Sequence, residues 1–152
     1  MRTYVRFDFI LYLPYIQNEG EIKMNISIYN HGVAWEETFS VTQACRVKDT
    51  IYISGQFSHD MEGVFVGEGD IAAQTRQSFD NLDRVLEGFG VKRTHIAELE
   101  VFLTDPQQQF EPFIAIYRDY VGDHRPAATL VGVSSLAFPH QLIEIRAIAH
   151  TD

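Results

Sequence analysis

Glu144 and Arg146 are set among Ile143, Ile145 and Ala147 in the segment 142–149, the period-two pattern of a strand with one buried face and one face open to solvent or a cleft. A strand holds a carboxylate more rigidly than a loop does, so Glu144 is the charge held most firmly near any site the fold builds beside it. The spacing leaves two readings open. Glu144 faces a cleft, or it forms a local or inter-subunit ion pair with Arg146, whose charge would lower the carboxylate pKa and weaken it as a base.

Other polar groups carry less. His59 and His124 invite an acid–base reading, but each lies in a loop-like stretch without a neighbouring partner. Cys45, on a strand, is simplest as a small buried hydrophobe. Gly63, Gly67 and Gly69 do not form a phosphate loop, since no Lys-Ser or Lys-Thr follows them. Asp83-Arg84 and Glu36-Glu37 read as solvated faces. No Cys/His spacing suggests zinc, and neither a metal nor a cofactor is expected.

The elements that must position Glu144 follow from pattern. The chain has 152 residues, 45% of them hydrophobic, with 11 Phe and 7 Tyr, enough for one core and too few for two comfortable domains. A net charge of -9 opposes binding to a phosphate backbone, and no apolar run is long enough to suggest a membrane span. One cysteine fits a reducing, cytoplasmic setting. Residues 1–23 read as an N-terminal extension of uncertain status, an appendage from an upstream start codon or else an extra edge strand or oligomer contact. Residues 24–152 read as a single domain.

Within that domain 25–29 alternates like a strand. Segments 39–47 and 50–54 form a hairpin about Lys48-Asp49. Asp70 caps a helix whose apolar stripe is Ile71, Thr75, Phe79, Leu82, Leu86 and Phe89, stopped by Gly88 and Gly90. A strand over 94–103 follows. Asp105, Pro106 and Gln108 then open a second helix as cap, first-turn proline and capping-box glutamine. Its stripe is Phe110, Phe113, Ile114, Tyr117 and Val121, and it ends at Gly122. Arg125-Pro126 starts an extended segment. This order predicts an α+β fold, one twisted sheet with two helices on one face. The uncovered sheet face calls for a partner, giving a homo-oligomer with ligand clefts between subunits.

Five ordered motifs carry a resemblance: Ile53-Ser-Gly-Gln56, Gly69-Asp-Ile-Ala-Ala-Gln74 continuing to Asn81, Glu100-Val-Phe-Leu-Thr-Asp105, His124-Arg-Pro-Ala127, and Ile143-Glu-Ile-Arg-Ala-Ile-Ala149. Over roughly 42–149 the chain resembles the reactive-intermediate deaminase (RidA; YjgF/YER057c/UK114) family. The resemblance implies a chorismate-mutase-like subunit assembled as a homotrimer, with a small-molecule ligand in each inter-subunit cleft; it is the charge and the lack of a long apolar run that speak for no nucleic acid and no membrane partner. It also implies hydrolysis of enamines and imines to 2-oxo acids and ammonia. Ser54 and Gly55 match the family's cleft-lining serine and glycine, and Glu144 matches the glutamate that holds or polarises the attacking water. The family's carboxylate-clamping arginine is replaced by Ala128, its tyrosine by Val41 and its helix asparagine by Ile114. Tyr52 and Phe57 flank Ser54 and Gly55 and would shape an apolar pocket.

Without the clamp, a substrate carboxylate loses a bidentate contact worth about 2–4 kcal/mol. Arg125, three residues before Ala128, either reaches over to replace it or pairs with a surface carboxylate. Two functions stay open: an imine or enamine hydrolase with altered substrate choice, and a non-catalytic small-molecule-binding or regulatory trimer. Ribonuclease activity is opposed by the charge and by the lack of a basic, aromatic groove.

Overall fold

The computed structural model describes residues 10–11 and 25–152. Strands β1 (Ile10–Leu11) and β2 (Ile26–Tyr29) precede a short helix α1 (Ala34–Thr38), the hairpin of β3 (Ala44–Val47) and β4 (Thr50–Gln56), and helix α2 (Ile71–Gly88). Then come β5 (Ile96–Leu103), helix α3 (Pro106–Val121), β6 (Ala127–Gly132) and β7 (Ile143–His150). They form one mixed sheet in the order β1-β2-β3-β4-β7-β5-β6. Among the described residues only β5 and β6 pair in parallel, and α3 supplies the crossover that parallel pairing requires. The expected α+β sheet with both long helices on one face is what forms. The reading of 1–23 as an appendage lies outside the described residues, except that Ile10–Leu11 pairs antiparallel with Ile28 and Tyr29.

The period-two pattern sets the layers. Ile51 and Ile53, Leu99, Val101 and Leu103, and Ile143, Ile145, Ala147 and Ala149 face the helices and are buried against Phe79, Leu82, Val85, Leu86 and Phe113. Asp70 caps α2 by accepting from the Ala73 amide at 3.0 Å. Gly88 ends α2 from inside the helix, and a side chain there would strike the Tyr29 ring. That close approach offsets the roughly 1 kcal/mol a helical glycine costs.

Several local expectations change. Phe39 and Val41 precede β3 as exposed, non-strand residues, because Ser40 takes a positive φ of 55° that no strand tolerates. The glutamine that returns to the α3 cap is Gln109, which accepts from the Asp105 amide at 3.0 Å, one position beyond Gln108. Phe110 is 42% exposed and Tyr120 takes its place in the core. Tyr120 stacks on Phe79 at 3.9 Å and donates to Asp83 at 2.8 Å, so Asp83 is not simply a solvated charge. Arg125 has φ 51° rather than an extended backbone.

Candidate active site

The site begins with an irregularity in the sheet. Between Ile53 and Gln56 three steps along β4 oppose two along β7, from Ala147 to Ile145. The extra residue makes a bulge at Ser54-Gly55, and a bulge re-aims side chains where a strand must serve something other than its ladder. Glu144, on β7, reaches into the opening. Its carboxylate lies against Gly55 so closely that a Cβ there would overlap Oε1. Only glycine leaves room for this arrangement.

The other carboxylate oxygen is held as well. Gln141, 2% exposed, donates its amide to Glu144 Oε2 at 2.9 Å and shares the same nitrogen with the Ile143 carbonyl at 3.2 Å. The loop bearing Gln141 is anchored from α2. Gln74, fully buried, accepts from the Leu142 amide at 2.8 Å and donates to the carbonyls of His140 and Gly67, each at 2.9 Å. The path runs from helix to loop to carboxylate. Arg146 does not pair with Glu144. It is 3.2 Å from Glu100 Oε2 on β5, directly across in the register of the two strands, which sets aside the local Glu144–Arg146 ion pair.

Ser54 completes the polar edge. Its hydroxyl donates to the Thr42 carbonyl at 2.7 Å, so only its lone pairs remain for a ligand. Val41, Ser54, Gly55 and Glu144 line one cleft of about 1130 Å³, together with Gln43, Tyr52, Phe57 and Phe138. The other three expected residues do not line it within one chain. Ala128 is exposed on edge strand β6, opposite Leu99. Ile114 packs part-buried on the helix-side core. Arg125 borders a separate depression with Tyr117 and Pro126.

Behind the cleft lies a polar shoulder. Glu36, 5% exposed, accepts from the backbone amides of His31 and Gly32 and from Gln43 at 2.8–2.9 Å. Gln56 donates to Gln43 at 2.9 Å, and the His31 Nε2 is 3.0 Å from Gln56 Oε1. Glu36 is thus a buried hub, not a solvated charge. Burial lowers the His31 pKa to about 4, with the Gln56 hydrogen bond opposing in part. Burial also lowers the His59 pKa, against the backbone bond from its Nδ1 to the Asp60 carbonyl. His59 sits among Trp35, Phe57 and His31. His124 bonds the Ile96 carbonyl at 2.5 Å, away from the cleft lining. Cys45 is only part-buried and lines the cleft. Among the described residues no cluster suited to a metal occurs, and no helix is long and apolar enough to cross a membrane.

Trp35, Gln141 and Phe138 escaped the sequence reading. Trp35 belongs to a five-residue helix without a side-chain cap, and the other two lie in a loop without period. The one available signal was their closeness in sequence to residue 144.

This architecture matches known proteins. A family model described as Endoribonuclease L-PSP matches residues 33–151. A RutC family protein of Sulfurisphaera tokodaii is 37% identical over 107 residues, 70% of this chain and 84% of that one. Human 2-iminobutanoate/2-iminopropanoate deaminase is 32% identical over 108 residues, 71% of this chain and 77% of that one. A solved Mycobacterium tuberculosis member of the YjgF/YER057c/UK114 family superposes with TM-score 0.73 over 83% of this chain and 99% of its own; at 23% identity it shows the shared fold. The family model, the sequence relatives and the shared fold converge on one conclusion: the chain belongs to the YjgF/YER057c/UK114 (RidA) family.

Proposed function

We propose that the protein hydrolyses imines lacking a carboxylate at the reacting carbon, neutral or cationic ones, to carbonyl compounds and ammonia. The observation that carries this is the sign of the site. Glu144 and the lone pairs of Ser54 present acceptors to the cleft, which suits a protonated imine nitrogen. Arg146, the cation among the lining residues, is engaged by Glu100, and position 128 carries alanine. In the reaction, Glu144 orients a water whose oxygen bonds the imine carbon while the C=N π pair moves to nitrogen. Glu144 takes the water's proton and returns it to nitrogen. The C–N bond then breaks with its σ pair staying on nitrogen, ammonia leaves, and the hydroxyl proton passes to Glu144 as the oxygen forms the carbonyl and on to the departing ammonia. The relatives named as deaminases support the reaction class.

A homotrimer supports the site. β6 is exposed along most of its length, and the sheet face carrying Tyr52 bears neither long helix, so a second copy set against both would bring Ala128 towards a neighbour's Val41 and Glu144. Ammonia release from freshly generated acidic, neutral and cationic imines tests the proposal. Turnover of neutral or cationic imines that Glu144→Gln removes, with binding kept, is expected. A wild type inert on all of them, with Ala128→Arg gaining activity on acidic imines, would sink it and favour the binding reading, which the missing arginine supports.

A further inference from the structure

Beyond the cleft a second hollow opens, and it has a different chemistry. It has a volume of about 270 Å³ and is lined by Trp35, Phe39, Phe57 and Phe138, which also line the cleft, and by Phe65 and Pro139, which do not. Phe57 packs between two of the others, 5.5 Å from Trp35 and 4.9 Å from Phe138, centroid to centroid. Its polar rim group, His140, is turned to Glu68 at 2.9 Å. No charge is offered inward.

We infer that this aromatic annex receives an aryl side chain of the substrate, so that the protein selects imines bearing a benzyl- or indolyl-sized group. The inference rests on the proposed hydrolysis for the identity of the reacting group, though not for the binding itself. Three observations support it. An apolar cavity of roughly 150 Å³ already accepts benzene, so this volume suits a single or fused ring. Because the four shared rings border both spaces, a ligand whose polar head meets Glu144 and Ser54 has the annex as the adjoining apolar volume. The cleft's acceptors distinguish no side chain, which leaves selection to the annex. Aryl groups also gain edge and face contacts with such walls that an alkyl group does not.

Trp35 makes the test direct, since it is the chain's one tryptophan and stands in the shared wall. Its emission is to be followed while the full chain is titrated with 3-phenylpropanamide or with propanamide, neutral analogues of the two substrate sizes. In parallel, ammonia release is to be measured from imines generated in situ by oxidation of 2-phenylethylamine and of ethylamine. Burial of one phenyl group predicts binding about 30- to 100-fold tighter for the aryl amide, with a change in Trp35 emission. Phe65→Ala, at a residue that lines the annex and not the cleft, is expected to cut that ratio about tenfold; should the variant not fold, the wild-type titration decides alone. Equal binding of the two amides, or a ratio retained in folded Phe65→Ala, overturns the inference even when both imines are hydrolysed. Selective binding without ammonia release keeps the annex and removes the hydrolase reading.

Discussion

Behind β4, β7 and β5 the chain buries aliphatic and aromatic side chains against two helices, while beside the cleft it buries Glu36, Gln43, Gln56 and His31. Stabilisation in the first region is spread over many contacts of similar kind, and one loss is shared among neighbours. In the second it is concentrated in partners that cannot be exchanged, because removing one leaves buried donors unpaired. The site is built on the second. Gln43 and the bulge at Ser54-Gly55 tie the cleft floor to the polar shoulder, so accuracy of placement is obtained where tolerance to substitution is lowest.

The sharpest way to break this contrast is Glu36→Ala. It orphans two backbone amides and the Gln43 side chain at once, and we expect a loss of about 4 kcal/mol accompanied by weakened ligand binding. Leu99→Ala, fully buried on the apolar side, should cost about 3 kcal/mol and leave affinity near wild type. Chemical denaturation with ligand titration measures both, and a Leu99 variant that loses affinity as steeply as the Glu36 variant would erase the distinction.

Acid should find the shoulder before the core. His31 has its pKa lowered from 6.5 to about 4, so the unfolded chain binds the extra proton between those values. Its contribution is complete above pH 6.5 and is lost as pH falls towards 4, about 3 kcal/mol over that window. His59 shifts in the same direction. Thermal melts from pH 7.5 down to 4.5 should therefore fall steadily, and His31→Gln should flatten the slope; an unchanged slope would exonerate His31. A smaller effect is expected at the carboxylate's support. Gln141→Leu removes the 2.9 Å bond to Glu144 and should lower kcat about tenfold with KM little altered. The smallest belongs to Arg146→Ala, which breaks a part-exposed pair with Glu100 and should cost under about 1 kcal/mol, as urea denaturation would show.

The apolar region was the legible one. α2, β5 and β7 repeat their hydrophobic positions often enough that their faces follow from period alone, and β7 placed Glu144 on the open face. The polar shoulder left no such trace. Glu36 sits in a five-residue helix whose N-cap, Val33, makes no side-chain bond, and a glutamate beside another glutamate reads as surface until its three donors are seen. Arg125 adopts a positive φ that a residue before proline seldom takes. Ala128 and Ile114 were named from family positions and Arg125 from its closeness to Ala128, and sequence pattern could not show that one chain keeps them away from Glu144, since that separation depends on strand order.

The contact between Gly55 and Glu144 has a consequence for how such chains diversify. A methyl group at 55 and a carboxylate at 144 compete for the same volume, so the two positions form one heritable unit. Any substitution at 55 is expected to be deleterious while Glu144 is present and tolerated once 144 is shortened. A lineage that has lost the carboxylate is thereby free to fill position 55, and a glutamate regained at 144 would then have to take a rotamer other than the one that lies against Gly55. The chemistry would then be recovered most easily by restoring both positions together, while the fold around them stays open to change.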